Sequence, residues 1–186
     1  MTLTGLFSRL GKPRTATARR PAITILIIMV GTFEICGLAG LRINRSPSLP
    51  VGLYLVTASS DANLVEICPA APFAELALVR GYRDAGSCPD GGAPLLKPVV
   101  ARAGDVVELS PEGIAVNGRL LPNTAPKKSD TKNRLLTPWP AGRYIVGPTS
   151  IWVASSFSAR SFDSRYFGPV ESGSIRNYVR PWITLP

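Results

Sequence analysis

Residues 94–118 read PLLKPVVARAGDVVELSPEGIAVNG, and this stretch alternates strand-forming runs with turn chemistry. Leu95–Ala101 is a strand-like run, Gly104-Asp105 turns the chain into Val106–Leu109, and Ser110-Pro111-Glu112-Gly113 turns it again into Ile114–Val116. Asn117-Gly118 then closes with a strong two-residue hairpin signal. Upstream, Val51–Thr57 and Leu64–Cys68 read as strands; downstream, Arg143–Val146 and Ile151–Ser155 do the same. Residues 69–94 form a loop-rich insertion with a short helix around Phe73–Tyr82, and residues 122–142 are a polar, basic, proline-rich loop. Eighteen prolines and seventeen glycines in 186 residues demand many turns and leave little room for long helices. The expected fold is mainly β.

The amino-terminal part has a different character. Residues 1–20 carry Arg9, Lys12, Arg14, Arg19 and Arg20 and no acid, so this tail supplies five of the net +9 charges. Directly after it, residues 21–41 read PAITILIIMVGTFEICGLAGL, interrupted only by Thr24, Thr32 and Glu34. About twenty such residues suffice to cross a bilayer core, and flanking positive charge keeps its own side in the cytoplasm. The charge therefore reads as a topology signal rather than a nucleic-acid arm. An uncleaved anchor is the reading that the length favours; a signal peptide cut near Gly37-Leu38-Ala39 is the alternative. Glu34 is a costly intramembrane carboxyl, read as protonated near the outer half. The resulting plan is a cytoplasmic tail over 1–20, a transmembrane anchor over 21–41 and a periplasmic domain over 42–186, attached to a bacterial inner membrane by a single pass.

Cys36 falls within the apolar run and reads as inert packing. Cys68 and Cys88 flank the insertion, and in an oxidising compartment they can close a disulfide. A zinc site is the rival, but two cysteines without histidine leave it short of ligands. No metal or cofactor is expected.

The chain contains no histidine, which removes the usual base for a nucleophilic hydroxyl. A lysine held neutral by burial is the remaining route. Lys97 stands mid-strand between Leu95-Leu96 and Val99-Val100, where a charged amine is expensive; the bland alternative is an amine that snorkels from a sheet edge. Ser48 is bracketed by Pro47 and Pro50, which restrict the backbone around it, although most Ser-Pro segments are turns. Near the end, Asp163 and Arg165 can pair, or Asp163 can orient the lysine, and Ser161 or Ser164 can hydrogen-bond its amine. An ordinary solvated turn is the alternative there.

Taken as an ordered set, Ser46-Pro-Ser48-Leu-Pro50-Val-Gly52-Leu-Tyr54, Pro94-Leu-Leu-Lys97-Pro, Gly104-Asp105, Val116-Asn117-Gly118 and Ser161-Phe-Asp163-Ser-Arg165 resemble the type I signal peptidases (S26), serine peptidases with a Ser-Lys dyad. The nearest likeness is to their conjugal-transfer, TraF-type branch. Leucine after the nucleophile, the single residue between Ser48 and Pro50, and the Cys68/Cys88 insertion all fit that branch. The resemblance implies a signal-peptidase-like β-sheet domain with Ser48 as nucleophile and Lys97 as general base. It implies an oxyanion hole from the Ser46 hydroxyl and the Ser48 amide, Ser161 as the group that orients the lysine, and Asp163 as an acid counted catalytic in that branch. Arg165, Cys68 and Cys88 take structural roles. The implied substrate is an exported precursor, in the first place a conjugative pilin that is cleaved, with hydrolysis and head-to-tail cyclisation both open as the closing step. The implied partners are the membrane and the transfer apparatus, not nucleic acid. The alternatives are a general signal peptidase and a non-catalytic pilus or secretion assembly factor.

Overall fold

A computed structural model describes residues 23–25 and 40–185. The chain divides into two units, residues 1–39 and 40–186, and the account below concerns the second. The expected anchor, with Glu34 and Cys36, lies outside the described residues apart from 23–25, which are helical, and its last two positions. Among the described residues, no helix is long and apolar enough to cross a membrane.

In chain order the domain runs β1 (Leu41–Asn44), β2 (Gly52–Thr57), β3 (Leu64–Ile67), α1 (Phe73–Val79), β4 (Leu95–Ala101), β5 (Val106–Ser110), β6 (Gly113–Val116), β7 (Arg119–Leu120), β8 (Gly142–Ile145), β9 (Ser150–Val153), α2 (Ser164–Phe167), β10 (Val170–Glu171) and β11 (Ile175–Thr184). One sheet has the order β1-β2-β11-β3-β4-β9-β10 and the other β7-β6-β5-β8. The mainly β expectation holds, and Leu95–Ala101 is a strand over the same residues.

Local chemistry explains most of these elements. Asn117 and Gly118 both adopt positive φ, 50° and 80°, as a tight hairpin turn matched to strand twist requires. Pro98 has no N–H for a ladder, and it stands where β4 changes partners. Leu95–Pro98 pair with β3, while Val99 and Ala101 pair with β9 across a register shift.

Two features depart from the sequence expectations. Residues 41–44, read as the end of the anchor and a linker, form an edge strand antiparallel to β2. β11 has no counterpart among the expected elements, because Arg176, Asn177, Arg180 and Pro181 break its apolar pattern. It nonetheless lies between β2 and β3 and pairs with both. At Gly52 a Cβ would run into the backbone carbonyl of Ile183, so glycine is what lets β2 and β11 approach.

Two apolar clusters fill the interior. Val65, Ile67, Val153, Phe162, Tyr166 and Phe167 belong to one; Val107, Ile114, Trp152 and Ala154 belong to the other. Each lies under one of the sheets, and β9 contributes to both because all four of its residues are buried.

Candidate active site

Strand alternation decides where Lys97 points. Residues two apart share a face, so Lys97 is directed inward with Leu95, which belongs to the first cluster. Its side chain does not reach solvent: the residue is 3% exposed. The Nζ lies 2.9 Å from Ser48 Oγ and 2.9 Å from Ser161 Oγ. Burial is the main cause that pushes this amine down to about 8; the nearby Asp163 carboxylate works against the shift, and Arg165 adds to it.

The loop that presents Ser48 is held by Asn44, a residue the sequence reading did not single out. Its buried amide donates to the carbonyls of Ser46, Leu49 and Pro50, and its oxygen accepts from the Ser46 amide. Tyr54, buried in β2, adds a 2.6 Å hydrogen bond from its hydroxyl to the Pro50 carbonyl. These bonds satisfy backbone groups that a turn of two prolines would otherwise leave unpaired. The only sequence signal was an asparagine at the mouth of a turn, a residue type that readily bonds its own backbone.

Ser46 and the Ser48 amide come together differently from the implied oxyanion pair. The Ser48 N–H donates to Ser46 Oγ at 3.2 Å, so in this state the two groups engage each other. The Ser46 hydroxyl proton stays free to donate, because that oxygen serves here as the acceptor.

Asp163 touches neither Lys97 nor Ser48 through a hydrogen bond. Its carboxylate grips Arg165, with Oδ1 accepting from Nε at 2.8 Å and Oδ2 from Nη2 at 2.7 Å. Both residues are fully buried. The remaining guanidinium donors reach the carbonyls of Asn123, Ser158, Ala159 and Ser161. Arg165 therefore fixes the backbone of Ser161, the residue that faces the lysine. Asp163 Oδ2 also accepts from the Ser155 amide, and Ser155 Oγ donates to the Ser48 carbonyl at 2.5 Å. This path ties the buried ion pair to the loop that carries Ser48. Ser155 is a second residue that sequence reasoning missed, since a serine ending an apolar strand carries no signal of its own. Ser164, the other candidate for the lysine, instead accepts from the Val153 amide.

Ser48 and Lys97 line a cavity of about 700 Å³, bounded also by the insertion and by the 122–142 loop. Cys68 and Cys88 close a disulfide, with Cα atoms 5.6 Å apart, at the base of that insertion. The 122–142 loop is strapped across rather than loosely solvated. Asp130 accepts from the Tyr82 hydroxyl and from Arg134 Nε, each at 2.6 Å, and the Lys127 amide donates to the Tyr166 hydroxyl.

The chain has relatives among known proteins. Residues 15–183 match the family pattern of signal peptidase, peptidase S26. A plasmid transfer protein TraF from Escherichia coli is 34% identical over 180 residues, covering 95% of this chain and 99% of its own. A conjugal transfer protein TraF from Agrobacterium tumefaciens is 39% identical over 152 residues, covering 78% and 84%. A signal peptidase I from Enterococcus faecalis superposes on 66% of this chain and 97% of its own, with 18% identity and a TM-score of 0.36. With the family pattern matched over residues 15–183 and a relative 34% identical along 95% of the chain, the chain belongs to the signal peptidase family S26, a family of serine peptidases.

Proposed function

We propose that Ser48 and Lys97 form the catalytic dyad of a membrane-anchored endopeptidase that processes exported precursors. The observation that carries this reading is the buried amine lying 2.9 Å from both the Ser48 and the Ser161 hydroxyl oxygens. With Lys97 neutral, the Ser48 hydroxyl donates into the amine lone pair while an amine N–H donates to Ser161 Oγ. As Ser48 Oγ attacks a substrate carbonyl carbon, its proton passes to Nζ. The new C–O bond forms, the C–N bond breaks, and Lys97 returns the proton to the departing amine. The oxyanion is held by the Ser46 hydroxyl and by the Ser48 amide, which turns from Ser46 Oγ to the substrate; one such donor is typically worth about 10²–10³ in rate. Attack on the resulting ester by water, deprotonated by Lys97, releases a carboxylic acid and restores Ser48. Attack by the substrate's own terminal amine closes a new amide instead, and its proton returns to Ser48 through Lys97. Asp163, Arg165 and Ser155 are positioning residues.

The plasmid and conjugal transfer names of the relatives support conjugation as the setting; a pilin subunit as the substrate, with cyclisation as the resolving step, completes the proposal. The anchor over 21–41, the inner-membrane location and the periplasmic domain over 42–186 are part of the same proposal, supported by the basic tail and the apolar run. Intact-mass analysis of the pilin precursor in cells with wild-type, Ser48→Ala or Lys97→Ala protein tests it. The expected result is a processed product lost in both variants and one water lighter than the linear peptide of the same residues. Unchanged processing in both variants would sink the dyad and favour an assembly factor.

A further inference from the structure

The cavity that holds Ser48 and Lys97 is also lined by Arg45, Lys127 and Arg160. All three side chains are exposed, and among the described residues none has a carboxylate partner. The other strong charges along the wall are already matched. Arg42 pairs with Glu66, Arg83 with Asp90, and Asp130 with Arg134. Asp84 is the one acid of the wall without a side-chain partner among the described residues, which leaves three unmatched cations against one unmatched carboxylate.

The three cations arrive at the cavity wall from separate segments. Arg45 lies in the loop held by Asn44, three residues before Ser48. Arg160 immediately precedes Ser161, whose hydroxyl lies 2.9 Å from the lysine. Lys127 comes from the strap and is fixed at its backbone by Tyr166. Unmatched charge of one sign in a cleft focuses a field on whatever enters it, and substrate selection then follows from the charge that removes the mismatch.

We propose that this site selects peptide substrates with an acidic side chain within three residues of the scissile bond, and that Arg45, Lys127 and Arg160 receive it. The inference rests on the peptidase reading above and names the substrate feature which that reading leaves open. The test uses full-length protein and a set of quenched fluorescent peptides built on the precursor's cleavage sequence. Members differ only in Glu or Gln at each of the three positions on either side of the cut. At one position or more the Glu peptide is cleaved with kcat/KM roughly tenfold above its Gln counterpart, and the ratio falls as salt is raised from about 50 mM to about 500 mM. In at least one of Arg45→Gln, Lys127→Gln and Arg160→Gln the ratio drops to about one, while Arg119→Gln, exposed on β7 outside the cavity, keeps it. Equal cleavage of Glu and Gln peptides at every position overturns the proposal alone, as does a Glu preference that survives in all three variants. Absence of any cleavage that depends on Ser48 overturns the peptidase reading and this inference with it.

Discussion

Burial and a nearby carboxylate pull the Lys97 amine in opposite directions, and burial wins, leaving it at about 8. Below that value the amine is mostly protonated and unable to accept from Ser48. The rate kcat/KM should therefore fall about tenfold per pH unit on the acid side and level off above pH about 8. Stability obeys the same shift. The folded value lies below the ordinary 10.5, so the unfolded chain holds the proton more tightly. Lys97 thus costs the fold stability below about 8, and the cost disappears as pH rises to about 10.5. Lys97→Met should be more stable than wild type at pH 7, by up to about 3 kcal/mol, and the gain should vanish near pH 10 in denaturant titrations. Ser161→Ala removes one fixed partner of the amine. It should lower kcat roughly 10- to 100-fold with little change in KM, and Ser161→Thr should recover part of the loss. Arg165→Met strands the fully buried Asp163 and should cost about 3–5 kcal/mol.

Among the elements, the strap and the insertion are held to each other. Arg80 is the C-cap of the insertion helix and Tyr82 follows two residues later. Arg80 reaches the Leu135 carbonyl at 2.7 Å, and Arg134 returns a hydrogen bond to the Arg80 carbonyl. The disulfide closes the insertion over a separation of 20 residues, a loop worth about 3 kcal/mol on the chain-entropy account. Cys68→Ser/Cys88→Ser should lower the midpoint of denaturation by that order. It should also raise KM more than it lowers kcat, because the insertion walls the cavity while Lys97 stays in the sheet. A tandem comparison of denaturation curves and peptide kinetics checks both parts.

On the scale of the whole molecule, β11 joins the two halves of the active site. Ser48 precedes β2 and Lys97 lies on β4, and β11 and β3 are what stand between those strands. Ending the chain after residue 174 removes the ten-residue strand β11, which pairs with β2 on one side and β3 on the other. The truncated protein should lose its cooperative thermal transition and all peptidase activity, as circular dichroism and peptide cleavage would report.

The residues by themselves determined the strands with clean turn chemistry and the Asn117-Gly118 hairpin, offered the Cys68–Cys88 disulfide as the favoured of two readings, and singled out Lys97 as the candidate base of a chain without histidine. These are local matters: backbone conformation, period-two burial and the inventory of titratable groups. Lys97 could be read as a snorkelling amine until β3 and β9 packed beside it, because burial depends on neighbours that lie far away in sequence. Asn44, Ser155 and the path from Asp163 to the Ser48 carbonyl became visible only in three dimensions, since a hydrogen bond across 107 residues leaves no spacing to read. The same holds for β11, whose broken apolar pattern makes sense only between two partner strands. Tertiary structure decided these points because desolvation and long-range hydrogen bonding belong to the assembled fold, not to any segment of it.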